Sequence, residues 1–99
     1  MDMPAYLIAN ITVQDAAGFE AYRAAVPAVI ARFGGRYLVR GGAIDVKEGA
    51  PALNRLVVLE FPDMATARAF YDSADYAPLL AMRLASTTGT VALAEGVPT

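Results

Sequence analysis

Arg36-Tyr37-Leu38-Val39-Arg40 lies between two glycine pairs, Gly34-Gly35 and Gly41-Gly42, and carries two permanent positive charges and a phenol on one short extended segment. Strand alternation predicts that Arg36, Leu38 and Arg40 share one face and Tyr37, Val39 and Gly41 the other, with the arginines about 7 Å apart along the chain. Such a pair holds a carboxylate, a phosphate or an enolate through charge-assisted hydrogen bonds. The competing reading pairs either arginine with Glu60 or with an acid across a subunit interface, since structural ion pairs imitate sites.

Glu60 closes the apolar run Leu56-Val57-Val58-Leu59, in phase with Leu56 and Val58. A carboxylate in that setting is either a general base or half of a salt bridge. Asn10, in the first apolar segment, is an amide for a substrate or a satisfied polar group in a sheet. Tyr22, Tyr71 and Tyr76 sit on helical segments, where phenols line an apolar pocket or pack as core with bonded hydroxyls. The candidate catalytic residues are therefore Glu60 and Arg40, and the candidate ligand-binding residues Asn10, Arg36, Tyr37, Tyr71 and Tyr76.

Composition removes many other chemistries. There is no cysteine and no histidine, so a disulfide, a thiol nucleophile and a thiolate or imidazole metal site are excluded. The glycine pairs match neither GxGxxG nor GxxxxGK. No cofactor and no metal are expected. Net charge is −2 with scattered basic residues, which gives no footprint for nucleic acid. Seven of the eight basic residues are arginine, a bias that suits bidentate contacts and that a high-GC genome also produces. Hydrophobic residues make up 57% of the chain, yet no apolar run approaches the roughly 20 residues of a membrane span. That much apolar surface on so small a body predicts a face covered by a second copy, hence a homodimer. The start, Met1-Asp2-Met3-Pro4, lacks the pattern of an export signal, so the cytoplasm is the expected compartment.

The elements that position these residues follow from periodicity. Residues 4 to 13 read as a strand buried on both faces. Asp15 caps a helix whose apolar positions Phe19, Tyr22, Val26, Ile30 and Phe33 recur at helical spacing until Gly34-Gly35. Pro27 inside it removes the hydrogen bond to the Arg23 carbonyl and predicts a kink. Arg36 to Lys47 and Arg55 to Phe61 read as an antiparallel pair of strands, joined by a loop over Glu48 to Asn54. Asp63 caps a second helix with Met64, Ala67, Phe70 and Tyr71 inward. A further helical piece starts at Ser73 or Asp75 and carries Leu79, Leu80, Arg83 and Leu84. Gly89 to Glu95 reads as the last strand. The order β-α-β-β-α-β over one domain, residues 1 to 99, is the ferredoxin-like α+β arrangement with a four-stranded antiparallel sheet.

The Ala5-Tyr6 strand, the helix with Tyr22 and Pro27, the glycine-flanked arginines, Glu48-Gly49, Leu59-Glu60-Phe61-Pro62 and the Ser73 to Tyr76 turn together resemble the family of domain of unknown function 1330. The resemblance implies a dimeric α/β barrel, two four-stranded sheets face to face with helices outside. That architecture also hosts cofactor-independent monooxygenases, muconolactone-type isomerases, haem-degrading enzymes and stress-responsive dimers, and selects none of them. The haem-binding and dehydratase-like branches rely on a histidine that this chain lacks. The expectation is a dimeric small-molecule-binding protein, enzyme-like and cofactor-independent, acting on a small anionic or aromatic compound by proton transfer or oxygenation. In it Arg40 orients the anion, Asn10 and Tyr37 hydrogen-bond it, and Glu60 is the base. The alternative is a non-catalytic dimer that binds a metabolite or a protein partner.

Overall fold

The computed structural model describes residues 3–49 and 53–99. Its order is β1 (Ala5–Val13), α1 (Ala16–Arg32), β2 (Arg36–Arg40), β3 (Arg55–Phe61), α2 (Met64–Tyr71), α3 (Ala77–Ser86) and β4 (Thr87–Glu95). The four strands form one antiparallel sheet in the order β2-β3-β1-β4, a ferredoxin-like βαββαβ fold in which α2 and α3 share the second helical connection.

Alternation along β1 buries Ala5, Leu7, Ala9 and Ile11 against the helices, together with Leu59 and Phe61 of β3. The opposite face is less covered than expected, with Ile8 39% exposed, because no helical layer lies over it among the described residues. The molecule is accordingly thin, 39 × 36 × 17 Å. On the helical side Phe19, Val26 and Ile30 of α1 meet Phe70 of α2 and Tyr76, the residue preceding α3. The rings of Phe70 and Tyr76 stand 4.5 Å apart and those of Phe61 and Phe70 5.1 Å. Each buried aromatic of this kind contributes several kcal/mol, on the order of 3–5 when truncated to alanine.

The helix starts are as the sequence predicts: the Asp15 carboxylate accepts from the Gly18 N–H and the Asp63 carboxylate from the Thr66 N–H. The Thr66 bonds hold the Asp63 carboxyl below its usual range. α1 ends where Gly34 takes φ +72° and its N–H bonds to the Ala31 carbonyl. The helix runs through Pro27 as one element of 17 residues. Between α2 and α3 the Ser73 hydroxyl donates to the Phe70 carbonyl and accepts from the Tyr76 N–H, fixing the turn. Within α3 Leu84 is 62% exposed, whereas Arg83 is buried.

Two strand limits differ from those read off the pattern. β2 stops at Arg40 rather than Lys47, because Gly41 adopts φ +68° and turns the chain out of the sheet with its N–H on the Leu56 carbonyl. β4 starts at Thr87 rather than Gly89, directly from the end of α3.

A third difference decides the chemistry. Arg36 pairs with Glu60 and Tyr37 with Leu59, but Val39 pairs with Val58 and Arg40 with Val57. Two residues of β2 thus span one step of β3, a β-bulge that inverts the facing of everything after it. Arg36 and Arg40 do not share a face, as simple alternation predicts. Arg36 is in phase with the outer residues of the sheet, and Arg40 joins Tyr37 on the side of the helices.

Candidate functional site

Between α1, α3 and the sheet lies a cavity of about 40 Å³, room for a few water-sized groups before any side chain moves. Leu7, Ala9, Ile11 and Leu59 form part of its floor, and Phe19 and Val26 part of its roof. Its polar lining consists of four arginines, Arg23, Arg40, Arg55 and Arg83, and three tyrosines, Tyr22, Tyr37 and Tyr76; no Asp or Glu lines it among the described residues.

The arginines arrive from different elements for separate reasons. Arg40 is turned inward by the bulge, and its guanidinium lies 4.6 Å from the centroid of the Tyr37 ring. Its Nη2 donates to the Arg23 carbonyl at 3.0 Å. That carbonyl is the acceptor left without an intrahelical partner by Pro27, so the proline supplies the anchor of Arg40. Arg55, in phase with Val57 and Leu59, sits 5.1 Å from the Phe19 ring centroid. Its guanidinium occupies space that only glycine leaves at position 41, where a Cβ would come within 2.7 Å of the Arg55 Cζ. The Nε atoms of Arg23 and Arg55 are buried without a hydrogen-bond partner among the described residues. Such donors cost about 1–3 kcal/mol each when unpaired.

Arg83 is 7% exposed. It reaches back along α3 toward the helix start, as helical side chains do, to donate from Nε to the Tyr76 hydroxyl and from Nη2 to the Tyr71 hydroxyl, both at 3.3 Å. The Tyr76 hydroxyl is also 2.9 Å from that of Tyr22. Burial, reinforced by Tyr76, pushes the Tyr22 phenol far above its usual range. Burial likewise raises Tyr37, against the opposing pull of Arg40 and Arg23. Burial acts to lower the Arg83 pKa, but the bond to Tyr76 and the surrounding phenols outweigh it and leave the guanidinium held in its charged form. Tyr22 and Tyr37 therefore remain proton donors at neutral pH. Arg23 has a carboxylate neighbour, Glu20 at 3.5 Å on the surface. Fixed cations and phenolic donors with apolar walls, and no carboxylate among the described lining residues, are groups whose chemistry complements an anion.

The residues singled out from the sequence divide between the two faces of the sheet. Arg40, Tyr37 and Tyr76 line the cavity, with Tyr22, and Tyr71 borders it through Arg83. Arg36, Glu60 and Asn10 belong to the outer face. Glu60 is bound by Arg36, whose Nε and Nη2 both approach Oε1 at 2.8 Å, so the sheet separates Glu60 from Arg40. Asn10 Oδ1 accepts from the Asn54 N–H, and Asn54 Nδ2 donates to the Thr12 hydroxyl, tying the loop before β3 to β1. Sequence reasoning had not assigned Arg23, Arg55 or Arg83 to a site. Arg55 shows the phase of a core position, which is the signal that marks it, whereas Arg83 stands beside the exposed Leu84 and carries no such signal.

The profile of the family described as Domain of unknown function (DUF1330) matches residues 4–97. No curated protein matches the chain. Among solved structures, a protein of unknown function from Rhodopseudomonas palustris, RPA0582, superposes with a TM-score of 0.72 at 15% identity, over 99% of this chain and 85% of that one. Its methylated form gives 0.75 at 15% identity, over 100% and 83%. SnoaB, a cofactor-independent oxygenase from Streptomyces nogalater, gives 0.61 at 20% identity, over 100% and 97%. At these identities the likeness is one of fold.

Proposed function

Taking as premise that the chain belongs to the DUF1330 family, we propose that it is a small-molecule-binding protein that takes an organic anion into the cavity between its helices and its sheet. The single observation carrying this reading is a cavity lined by four arginines and no carboxylate among the described residues. The anionic group sits at the mouth between Arg40 and Arg55, with Tyr37 beside it, and the apolar body enters toward Phe19 and Leu59. Tyr22 and Tyr37 stay protonated, so they recognise an anion already formed instead of creating one by removing a proton.

The protein works in this reading as a cytoplasmic homodimer, with the outer sheet face against that of a second copy. Support comes from the exposed Ile8 on a sheet face that no helix covers among the described residues, and from a body only 17 Å thick. A chain without cysteine also draws nothing from an oxidising compartment.

Titration calorimetry with hexanoate and benzoate tests the binding. The expected result is one site per chain, lost by about tenfold or more in Arg55→Met and Arg40→Ala. Binding that both substitutions leave intact, in folded protein, removes the cavity from the account.

A second reading, favoured by the fold shared with a cofactor-independent oxygenase, makes the anion an enolate. Arg40 would hold the enolate oxygen, its proton having left to solvent, and dioxygen would add to the carbon. Glu60 stands apart from this cavity, tied to Arg36 on the other face. An oxygen electrode with an acidic 1,3-dione separates the two readings: binding without oxygen uptake leaves recognition alone.

A further inference from the structure

Arg83, Tyr71 and Tyr76 have no part in holding an anionic group at the mouth, and their own hydrogen bonding is incomplete. The Arg83 guanidinium donates from Nε and Nη2, the two nitrogens of its side-on edge, to the hydroxyls of Tyr76 and Tyr71. Neutral phenol oxygens thus occupy the edge that would clasp the two oxygens of a carboxylate. Nη1 donates to nothing among the described residues. A guanidinium has only donors and no acceptor, so buried Arg83 keeps unused N–H groups beside a cavity that it lines with Tyr22 and Tyr76.

The phenols repeat this excess of donors. The Tyr22 and Tyr76 hydroxyls, 2.9 Å apart, share one hydrogen bond in which either is the donor. Whichever donates, the proton of the other has no acceptor among the described residues, because Tyr76 meets Arg83 as an acceptor. Charge is unbalanced as well. α2 and α3 contain no Asp or Glu, and no Asp or Glu among the described residues lies within ion-pair distance of Arg83. Asp75, next to Tyr76 in the chain, is exposed and paired with Arg32 at 3.1 Å. A buried cation without compensation is costly. Water in the cavity would accept a proton here but would add donors of its own and no charge.

We propose that the part of the cavity lined by Arg83, Tyr22 and Tyr76 is a binding site for one halide ion, chloride among the common ones. The ion accepts from Arg83 Nη1 and from the spare phenolic proton of the Tyr22 and Tyr76 pair. With the side-on edge of Arg83 taken, the donors left over belong to different residues, which suits a spherical acceptor better than a planar oxyanion. One negative charge balances one guanidinium. The cavity of about 40 Å³ takes an ion little larger than water with every side chain in place. The proposal does not rest on the organic anion at the mouth.

The test is thermal unfolding of the wild-type protein, dialysed into sodium gluconate, as chloride, bromide or nitrate replaces gluconate at constant ionic strength. The expected result is a saturating rise in Tm with chloride and bromide, about 5–10 °C when the ion is at tenfold its Kd. Arg83→Met should remove the rise. An equal rise in folded Arg83→Met overturns the site, as does a wild-type protein that responds to neither halide. A response to nitrate alone overturns the halide. If Arg83→Met does not fold, anomalous diffraction from wild-type crystals grown in bromide decides. A bromide peak within hydrogen-bond reach of Arg83 Nη1 upholds the site; peaks confined to Arg40 and Arg55 or to the surface, or none at all, overturn it.

Discussion

At the residue scale, the cavity is a place where proton donors outnumber acceptors, and the tyrosines make this measurable. The Tyr22 phenol has its pKa raised in the fold by burial and by Tyr76. Its unfolded value is about 10. The neutral phenol therefore contributes stability in full below pH 10, and that contribution is lost as pH climbs above 10 toward the folded value. The expected slope is at most about 1.4 kcal/mol per pH unit from this one group. Denaturant titrations between pH 9 and 11 should show the decline, and Tyr22→Phe should flatten it. An unchanged slope in that variant would mean the phenol is hydrated. The residue scale is also where the sequence was most and least readable. Tyr22, Tyr37, Tyr76 and Arg40 could be singled out because polar aromatics and arginine in apolar runs are rare enough to notice. Glu60 could be given two roles, and the structure couples it to Arg36 at 2.8 Å. Arg83 could not be recognised, because its partners Tyr71 and Tyr76 lie 12 and 7 residues away across a turn that only the folded helices bring together.

At the element scale, two local irregularities aim Arg40. Pro27 withholds an amide from the Arg23 carbonyl, and Arg40 takes its place at 3.0 Å. Pro27→Ala should restore the intrahelical bond and raise stability by about 1–3 kcal/mol, seen as a higher Tm. The same change should weaken anion binding severalfold, because Arg40 loses its acceptor. A gain in stability without a loss of affinity would show that the carbonyl does not position Arg40. The bulge in β2 is the second device. Deleting Leu38 removes the additional residue and lets Arg36, Tyr37, Val39 and Arg40 alternate regularly against β3, which leaves the Arg40 side chain on the side of the helices. Circular dichroism should remain that of the folded protein and anion affinity should be kept; a loss as large as in Arg40→Ala would show that the bulge does more than absorb one residue. The helices, the strand order and both acidic caps were legible in the sequence, because apolar period and capping chemistry are local. The bulge was not: Arg-Tyr-Leu-Val-Arg reads as five regular strand residues, and only pairing with β3 shows that one of them is surplus.

At the scale of the whole molecule, a single sheet serves as cavity floor on one side and as an uncovered surface on the other. Among the described residues no helix is long and apolar enough to cross a membrane; the cover proposed for that surface is a second chain. Sedimentation should give twice the chain mass. Val58→Asp, on the outer face beside Ile8, should give a monomer that keeps its far-ultraviolet spectrum; a dimer unaffected by the substitution would place the interface elsewhere. The β2 bulge also bears on how such a protein changes over generations. Five residues from Arg36 to Arg40 stand against four of β3, and Leu38 is the surplus one. Loss of its codon keeps Arg40 facing the helices, because the remaining four residues alternate regularly, whereas a substitution that lets the strands pair without the bulge turns Arg40 to the other face at unchanged length. The proposed anion recognition therefore tolerates a shortened β2 and depends, at full length, on whatever holds the bulge.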